Sequence, residues 1–573
     1  MKSEDVRDMD FPERVKGLPQ KELSWRDKLL LSGLVGFTFA FTFIFYGFID
    51  VFAVNHAEIP LQFTTVLLVA FCVFTLVWLI VSGITLAFPG KLFPVVLSLT
   101  LGLLLAGYLQ GTFLNLNLGE LTGDAIPWEQ YWRYGLINSL IWLVVLALPL
   151  VARRFSVVIW RKALIIVCVL LCGMQGAALM STLLTTRVTE PKAMNAFLSA
   201  QGEYEVSSEN NILVFIIDRL DYNYIDAVRQ DDPAFFDRLD GFTEFDNSTA
   251  LYCQTYPSAT YMITNIKGFL DKPSKDYFDE AWKGSSAIPL LRENNYTTKF
   301  HIDYGYVYND ANQLAGKADN LRFGKGNPQW GKIAGNFIDL VLYRCAPHVF
   351  KAGLWIDQVD FTEDVEFDAP EDELVTANDP LFYEGLVRDG LTVQHEKNNY
   401  LFLHLNGSHA PYTMDENAQY TGNSDLVAQT KGSFHILFTY MDEMKKLGLY
   451  KDATIVITGD HGKSQDITPL DYASCVGFFV KPRGSAGTPL TQSSAPVSHE
   501  NLLPTILQSE GLDHASYGVS AFDVPEDADV IRHFYYHLYQ SSGNVLEHFE
   551  IRGNARDFGN WRKVEELPVL YLP

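Results

Sequence analysis

Five apolar stretches in the first third of the chain, near 29–54, 62–88, 92–114, 134–152 and 163–183, constrain the fold more than any other feature. Each supplies roughly the 20 mostly apolar residues that a helix needs to cross about 30 Å of hydrocarbon. Helices of a soluble core would show polar faces, which these stretches lack. The first run is also too long for a cleaved signal peptide, and four more follow it. Residues 29–184 are therefore expected to form a five-helix transmembrane domain behind an N-terminal segment, 1–28. Charge is nearly absent inside the spans, which reads as an anchor rather than a pump or channel working through buried ionisable groups.

Orientation follows from the flanks. Lys2, Arg7, Arg14, Lys16, Lys21, Arg26 and Lys28 precede the first span, and Arg153, Arg154, Arg161 and Lys162 join the fourth to the fifth. Loops 55–61 and 115–130 hold no Lys or Arg, only Glu58, Glu120, Asp124 and Glu129. Lys and Arg concentrate on the cytoplasmic side, so the N-terminus is expected there. An odd number of spans then puts the rest of the chain outside the cytoplasm, on a multi-pass protein of the cell membrane. The net charge is −24, and residues 185–573 carry it, with 31 Lys and Arg against 56 Asp and Glu. Such a surface repels phosphate backbones, so no nucleic acid is expected as a partner.

Residues 185–210 are polar, end in the turn-like SSEN, and read as a juxtamembrane linker to a folded region, 211–573. Of six cysteines, Cys72, Cys168 and Cys172 fall in spans and Cys253, Cys345 and Cys475 outside, so at most one external disulfide can form. No Cys-x-x-C or Cys/His finger spacing occurs. Short apolar runs at 211–217, 297–302, 400–405, 453–458 and 475–480 alternate with helix-length segments, the pattern of an α/β domain with a mixed, mostly parallel central sheet. Two later runs, IRHFYYHLYQ and VLEHFEIRG, read as closing strands with Trp561 packing on them.

In open α/β sheets ligands bind beyond the carboxyl ends of the strands. Asp218 follows the first run, His301 and Asp303 stand at the second, Gly407-Ser408-His409 follows the third, and Gly459-Asp460-His461-Gly462 follows the fourth. Adjacent Asp and His at a strand end, with glycines on both sides, let two ligands converge on one cation. With Asp218 they make a carboxylate, carboxylate and imidazole set suited to one divalent ion, zinc or manganese, or to a pair of them. A buried Asp without such a partner is costly. A catalytic site keeps one position open for a nucleophile, and YCQTYPSATYMIT (252–264) offers candidates.

The order of Asp218, a Thr-x-Pro-Ser, G-S-H-x-P, G-D-H-G and S-H-E-N-L-L-P-T-I-L (498–507) resembles the alkaline phosphatase superfamily in its sulfatase-like branch. With five spans ahead of it, the whole chain is similar to the lipoteichoic acid synthase and phosphoethanolamine transferase group. The sulfatase motif Cys/Ser-x-Pro-Ser-Arg falls on Thr255-Tyr256-Pro257-Ser258-Ala259, which makes Thr255 the implied nucleophile and metal ligand, with Ser258 as second candidate. Cys253 is not followed by x-Pro, and Ala259 replaces the motif's Arg, so a formylglycine sulfatase is not implied. Thr255 also suits a helix N-cap.

The resemblance further implies metal ligation by Asp218, Asp460 and His461, and an acid role for His409 beside the phosphoryl group. Substrate contacts are implied at His301, Asp303, His409 and His499, although His499 equally suits a cap. His404, inside an apolar run, reads as a core histidine. The group's pocket Trp and Arg fall on Tyr308 and Asp310, and Asp218 stands where the transferases generally carry Glu. The implied activity moves a phospholipid headgroup, phosphoglycerol or phosphoethanolamine in type, from a membrane phospholipid through a phospho-threonine to a cell-surface glycan or polymer. A phosphodiesterase, phosphatase or sulfatase-type hydrolase on the same site is the alternative, and a non-catalytic surface protein of this fold the third.

Overall fold

The computed structural model describes the chain outside 1–22, 57–58, 60, 117–125, 127, 187, 190–195, 304, 355–360, 362–363, 368–374, 376–377, 464–469, 471–474, 539–543 and 571–573. Lys2, Arg7, Arg14, Lys16, Lys21, Glu58, Glu120 and Asp124, used above for orientation, lie outside the described residues. Among those described, five helices are long and apolar enough to cross a membrane. They are α1 (Trp25–Val54), α2 (Phe63–Ala87), α3 (Phe93–Phe113), α4 (Trp128–Phe155) and α5 (Val157–Thr185). They outrun the apolar stretches mainly in α4 and α5, because helix geometry continues past the hydrocarbon into the charged flank Arg153–Lys162. Ser156, at φ −158° and ψ 119°, ends α4 and caps α5 by accepting from the Ile159 N–H.

Several polar groups of the bundle pair with one another, as a water-free setting favours. Asn138 Nδ2 and Trp142 Nε1 both donate to Gln110 Oε1, at 2.7 and 3.0 Å. Arg161 of α5 pairs with Asp27 of α1 at 2.6 Å.

The α/β region centres on a seven-stranded sheet: β1 (Asn211–Ile217), β2 (Thr243–Phe245), β3 (Tyr296–His301), β4 (Asn398–Leu405), β5 (Ala453–Thr458), β6 (Phe478–Lys481) and β7 (Thr491–Ser493). Their spatial order is β7-β2-β6-β5-β1-β4-β3. Strands β5, β1, β4 and β3 are mutually parallel, whereas β6 runs antiparallel to β5 and β2. The run expected at 475–480 thus starts later, at Phe478, and reverses direction, which makes the sheet mixed.

All seven residues of β1 are buried. Alternation sends Ile212, Val214 and Ile216 into one core with Tyr252, Ala259 and Leu502, and Leu213, Phe215 and Ile217 into another with Phe434, Leu437 and Met441. A continuous apolar run is what a strand covered on both faces requires. The helix Leu426–Lys446 supplies the second of these layers.

Part of the segment expected to be a linker joins the folded region. Ala196–Leu198 pairs antiparallel with Leu321–Phe323, and Glu205–Ser207 pairs parallel with Thr392–Gln394. At the other end, Arg532–Leu538, Val545–Ile551 and Trp561–Pro568 form a three-stranded antiparallel sheet. Trp561 packs edge-on to Phe534 at 5.2 Å. All six cysteines are free thiols.

Candidate active site

The parallel strands deliver their chemistry to one edge. Asp218 follows the last residue of β1, and the Asp460 and His461 turn follows β5 after a single glycine. A Cβ on Gly459 would meet the Leu220 carbonyl oxygen at 2.9 Å, so the turn can close on the loop after β1 only with glycine there. Gly407, after β4, is at φ +62°, and a Cβ would lie 2.5 Å from the Asp218 nitrogen. Glycine is the residue that accepts both the left-handed backbone and that approach. Ser408 N–H then donates to the Asp218 carbonyl at 2.9 Å.

Asp460 is fully buried, and its Oδ1 accepts from the backbone N–H groups of Arg219 (3.1 Å) and His461 (2.9 Å). Its Oδ2 lies 3.7 Å from both His404 Nε2 and His461 Nε2. Asp218 Oδ1 stands 3.5 Å from His461 Nε2. Asp218 Oδ1, Asp460 Oδ2 and His404 Nε2 are each buried without a hydrogen-bond partner. Ligand atoms of those three residues all lie within 4.8 Å of one another. Three such atoms facing one point would be costly in an apolar interior, and a shared divalent cation resolves the cost.

His461 Nδ1 is 3.1 Å from the Gly462 carbonyl; as donor there, it leaves the Nε2 lone pair facing both aspartates. Burial and the Asp460 charge push Asp218 well above the usual carboxylate range. Burial acts on Asp460 in the same direction, but His461, His404 and the Thr255 hydroxyl outweigh it and hold the group below that range. His404 is driven down by burial and up, by more, by Asp460 and Asp218, ending at about 8.

Thr255 is buried beside Asp460. Regular helix geometry in the Thr255–Thr264 segment begins only after Tyr256 and Pro257, whose dihedrals are non-helical, so the threonine stands ahead of the helix rather than within it. Ser258 donates its Oγ–H to the Asp460 carbonyl at 2.6 Å, a bond that holds the turn and occupies this second candidate. His499 Nε2 lies 2.8 Å from the Gly459 carbonyl, and its Nδ1 is 3.4 Å from the Leu251 nitrogen. The ring thus ties the turn after β5 to the segment that leads into Thr255.

His301 closes β3 opposite Leu403 and is kept neutral by burial and Lys299, its pKa near 3. Desolvation pushes Asp303 up to about 6, against the pull of nearby His404. His409 is half-buried, with Nδ1 near the Ala410 carbonyl, and is not one of the three grouped ligands. Asp310 caps the short helix Ala311–Leu314, which accounts for an acid at that position.

Sequence reasoning missed three residues. His404 belongs to the ligand cluster and not to the apolar core. Arg219 donates its backbone N–H to Asp460 and places a guanidinium near Asp218 and His461. Asp379 accepts the Asn406 and Gly407 N–H groups, both at 2.8 Å, and so holds the loop after β4. Its signal was the Asn-Asp-Pro at 378–380, a helix start.

Residues 381–511 match the family model described as Sulfatase. The chain carries a sulfatase-family domain. That match agrees with the resemblance to the alkaline phosphatase superfamily that the ordered motifs carry. The matched span holds His404, His409, Asp460, His461 and His499, while Asp218 and Thr255 reach the site from upstream through the sheet and the 252–264 segment. A lipoteichoic acid synthase of Staphylococcus aureus is 28% identical over 133 residues, 19% of this chain and 20% of that protein. The chain thus spans about a fifth of the length of the curated relatives it matches. Among solved structures, a phosphonate monoester hydrolase from Silicibacter pomeroyi aligns with TM-score 0.35 and 13% identity, over 61% of this chain and 87% of that one. The lipoteichoic acid synthase LtaP from Listeria monocytogenes aligns with TM-score 0.31 and 12% identity, over 64% and 88%.

Proposed function

We propose that the protein is a membrane-anchored, metal-dependent phosphotransferase that moves a phospholipid headgroup through Thr255 to a cell-surface glycan or polymer. One observation supports this above the others: the Thr255 hydroxyl sits beside Asp460, against three buried ligand atoms that converge without partners. Asp218, Asp460, His461 and His404 would hold one divalent cation, zinc or manganese, whose Lewis acidity lowers the pKa of a neighbouring hydroxyl. Thr255 Oγ attacks the phosphorus of a phosphodiester headgroup as its own proton leaves to solvent, the bond to the diacylglycerol oxygen breaks, and His409 supplies that oxygen's proton. A hydroxyl of the acceptor then attacks phospho-Thr255 and regenerates the free threonine. His301 and Asp303 flank the incoming headgroup, while Asp379, Ser258 and His499 keep the loops in place.

In this reading the N-terminus, 1–28, is cytoplasmic, the five helices anchor the chain in the cell membrane, and the α/β region works outside. Incubation of the membrane protein with headgroup-labelled phosphatidylglycerol or phosphatidylethanolamine and a polyol acceptor tests the reaction. Label on the acceptor with release of diacylglycerol is expected. Label appearing wholly as a water-soluble ester identifies a hydrolase instead, and absence of diacylglycerol removes phospholipid as the donor.

A further inference from the structure

Between the strand Leu321–Phe323 and the helix Asp379–Asp389 the chain leaves the α/β body. It forms a 16-residue helix, Trp330–Cys345, and a 3-10 turn, His348–Gly353. One face of this helix repeats Ile333, Phe337 and Val341, all buried in a cluster with Ile44, Phe48 and Phe52 of α1. Phe337 packs at 5.3 Å from the Phe48 ring.

Three membrane helices make room by glycine. A Cβ on Gly47 of α1 would meet Val341 at 3.1 Å, on Gly111 of α3 the Cys345 sulfur at 3.0 Å, and on Gly135 of α4 Val349 at 3.3 Å. Polar groups tie the same contact. Arg344 Nη1 pairs with Asp50 Oδ2 of α1 at 2.6 Å, Asn115 Nδ2 donates to the Arg344 carbonyl at 3.0 Å, and His348 N–H donates to Asn138 Oδ1 of α4 at 3.0 Å. Trp128, Tyr131 and Tyr134 set their rings edge-on around the His348 imidazole at 5.0 to 6.0 Å, the aromatic belt expected where a bundle meets water.

The segment also leaves large apolar side chains open, beside the exposed Lys332 and Asp339. Trp330 is 50% exposed, Leu342 45%, Val349 54% and Phe350 63%. We infer that residues 330–353 form a second membrane contact, an interfacial element of the α/β region that lies in the outer leaflet and seats that region on the bundle. Its occupant is lipid, because Val349 packs beside Gly135 of α4, whose neighbours Leu136, Ile137 and Leu140 are themselves apolar and exposed. An amphipathic helix lying in the interface buries its apolar side several ångströms below the headgroups, and its binding grows with the apolar area buried. The pair Arg344–Asp50 and the three glycines then fix the orientation of the α/β region relative to the headgroup plane. This inference rests on the five helices spanning the membrane and is independent of the reaction.

The test uses the full chain in phosphatidylcholine–phosphatidylglycerol vesicles containing a lipid with a photoactivatable diazirine in its acyl chain. After illumination, lipid adducts are mapped by peptide mass spectrometry. Adducts at Leu342, Val349 or Phe350 are expected in at least tenfold excess over Val387 and Val519, apolar side chains of similar exposure on the α/β body. Adducts on α2 and α5 report correct insertion. Labelled α2 and α5 with Leu342–Phe350 at the level of Val387 overturn the inference, whether water or a second copy of the chain covers the face. Phe350→Glu is expected to lower the local adduct yield severalfold while the spans keep theirs; an unchanged yield also counts against lipid contact.

Discussion

Replacing Thr255 with Ala is expected to lower turnover more than a hundredfold, or about 3 to 4 kcal/mol of transition-state stabilisation, since each tenfold in rate is about 1.4 kcal/mol. The substitution removes the only oxygen of that side chain, the one beside Asp460, and leaves the backbone ahead of Ser258 free to keep its path. The Asp460 turn retains its bonds from Ser258, Arg219 and His461, so folding should survive. Thr255→Ser keeps a hydroxyl and should retain measurable turnover. Cys253→Ala is the control: the thiol is buried and accepts from the His537 N–H at 3.2 Å, a packing role that should leave turnover within about twofold. Loss of activity in the Cys253 variant with a tolerant Thr255 would return the nucleophile to the cysteine and the reaction to a sulfatase.

A comparable loss is expected from Asp460→Asn, read as metal content of the purified membrane protein beside activity. Asn keeps the shape and can still accept from Arg219 and His461 through its carbonyl oxygen. It removes the negative charge facing His404, His461 and Asp218. Losing an outer hydrogen-bond partner of a metal site costs about 10- to 100-fold in affinity, so losing a ligand charge should exceed about 100-fold. His404→Ala should also weaken metal binding, which separates a ligand from the core histidine that its apolar run implies. Full metal content in both variants would mean that the cluster does not hold the cation. Retained turnover in chelator-treated protein would count equally against the site.

Much of this arrangement was legible because parallel strands covered on both faces must be apolar throughout. NILVFII, YLFLHL and ATIVIT therefore announce themselves, and the polar residues just past their ends mark the edge where ligands gather. The direction of β6 was not legible: periodicity reports which faces are covered, not which neighbour a strand pairs with or in what sense. His404 was hidden by the same rule that found its strand, since one imidazole within an apolar run looks like packing until Asp460 and Asp218 are placed beside it. The strands Ala196–Leu198 and Glu205–Ser207 are three residues each, too short to give a period, and their pairing partners lie over a hundred residues away. Trp330–Cys345 carries an apolar stripe of Ile333, Phe337 and Val341, but periodicity does not say that the stripe packs on α1 and not on the sheet.

The central claim is a covalent Thr255 intermediate, and rapid acid quench of the enzyme with phospholipid donor and no acceptor tests it most directly. Peptide mass spectrometry should find the 252–264 segment carrying a headgroup phosphate on Thr255, with a mass that names the headgroup and with diacylglycerol released in equal amount. An adduct on Ser258 or Cys253, or diacylglycerol released with Thr255 unmodified at every quench time, would contradict it.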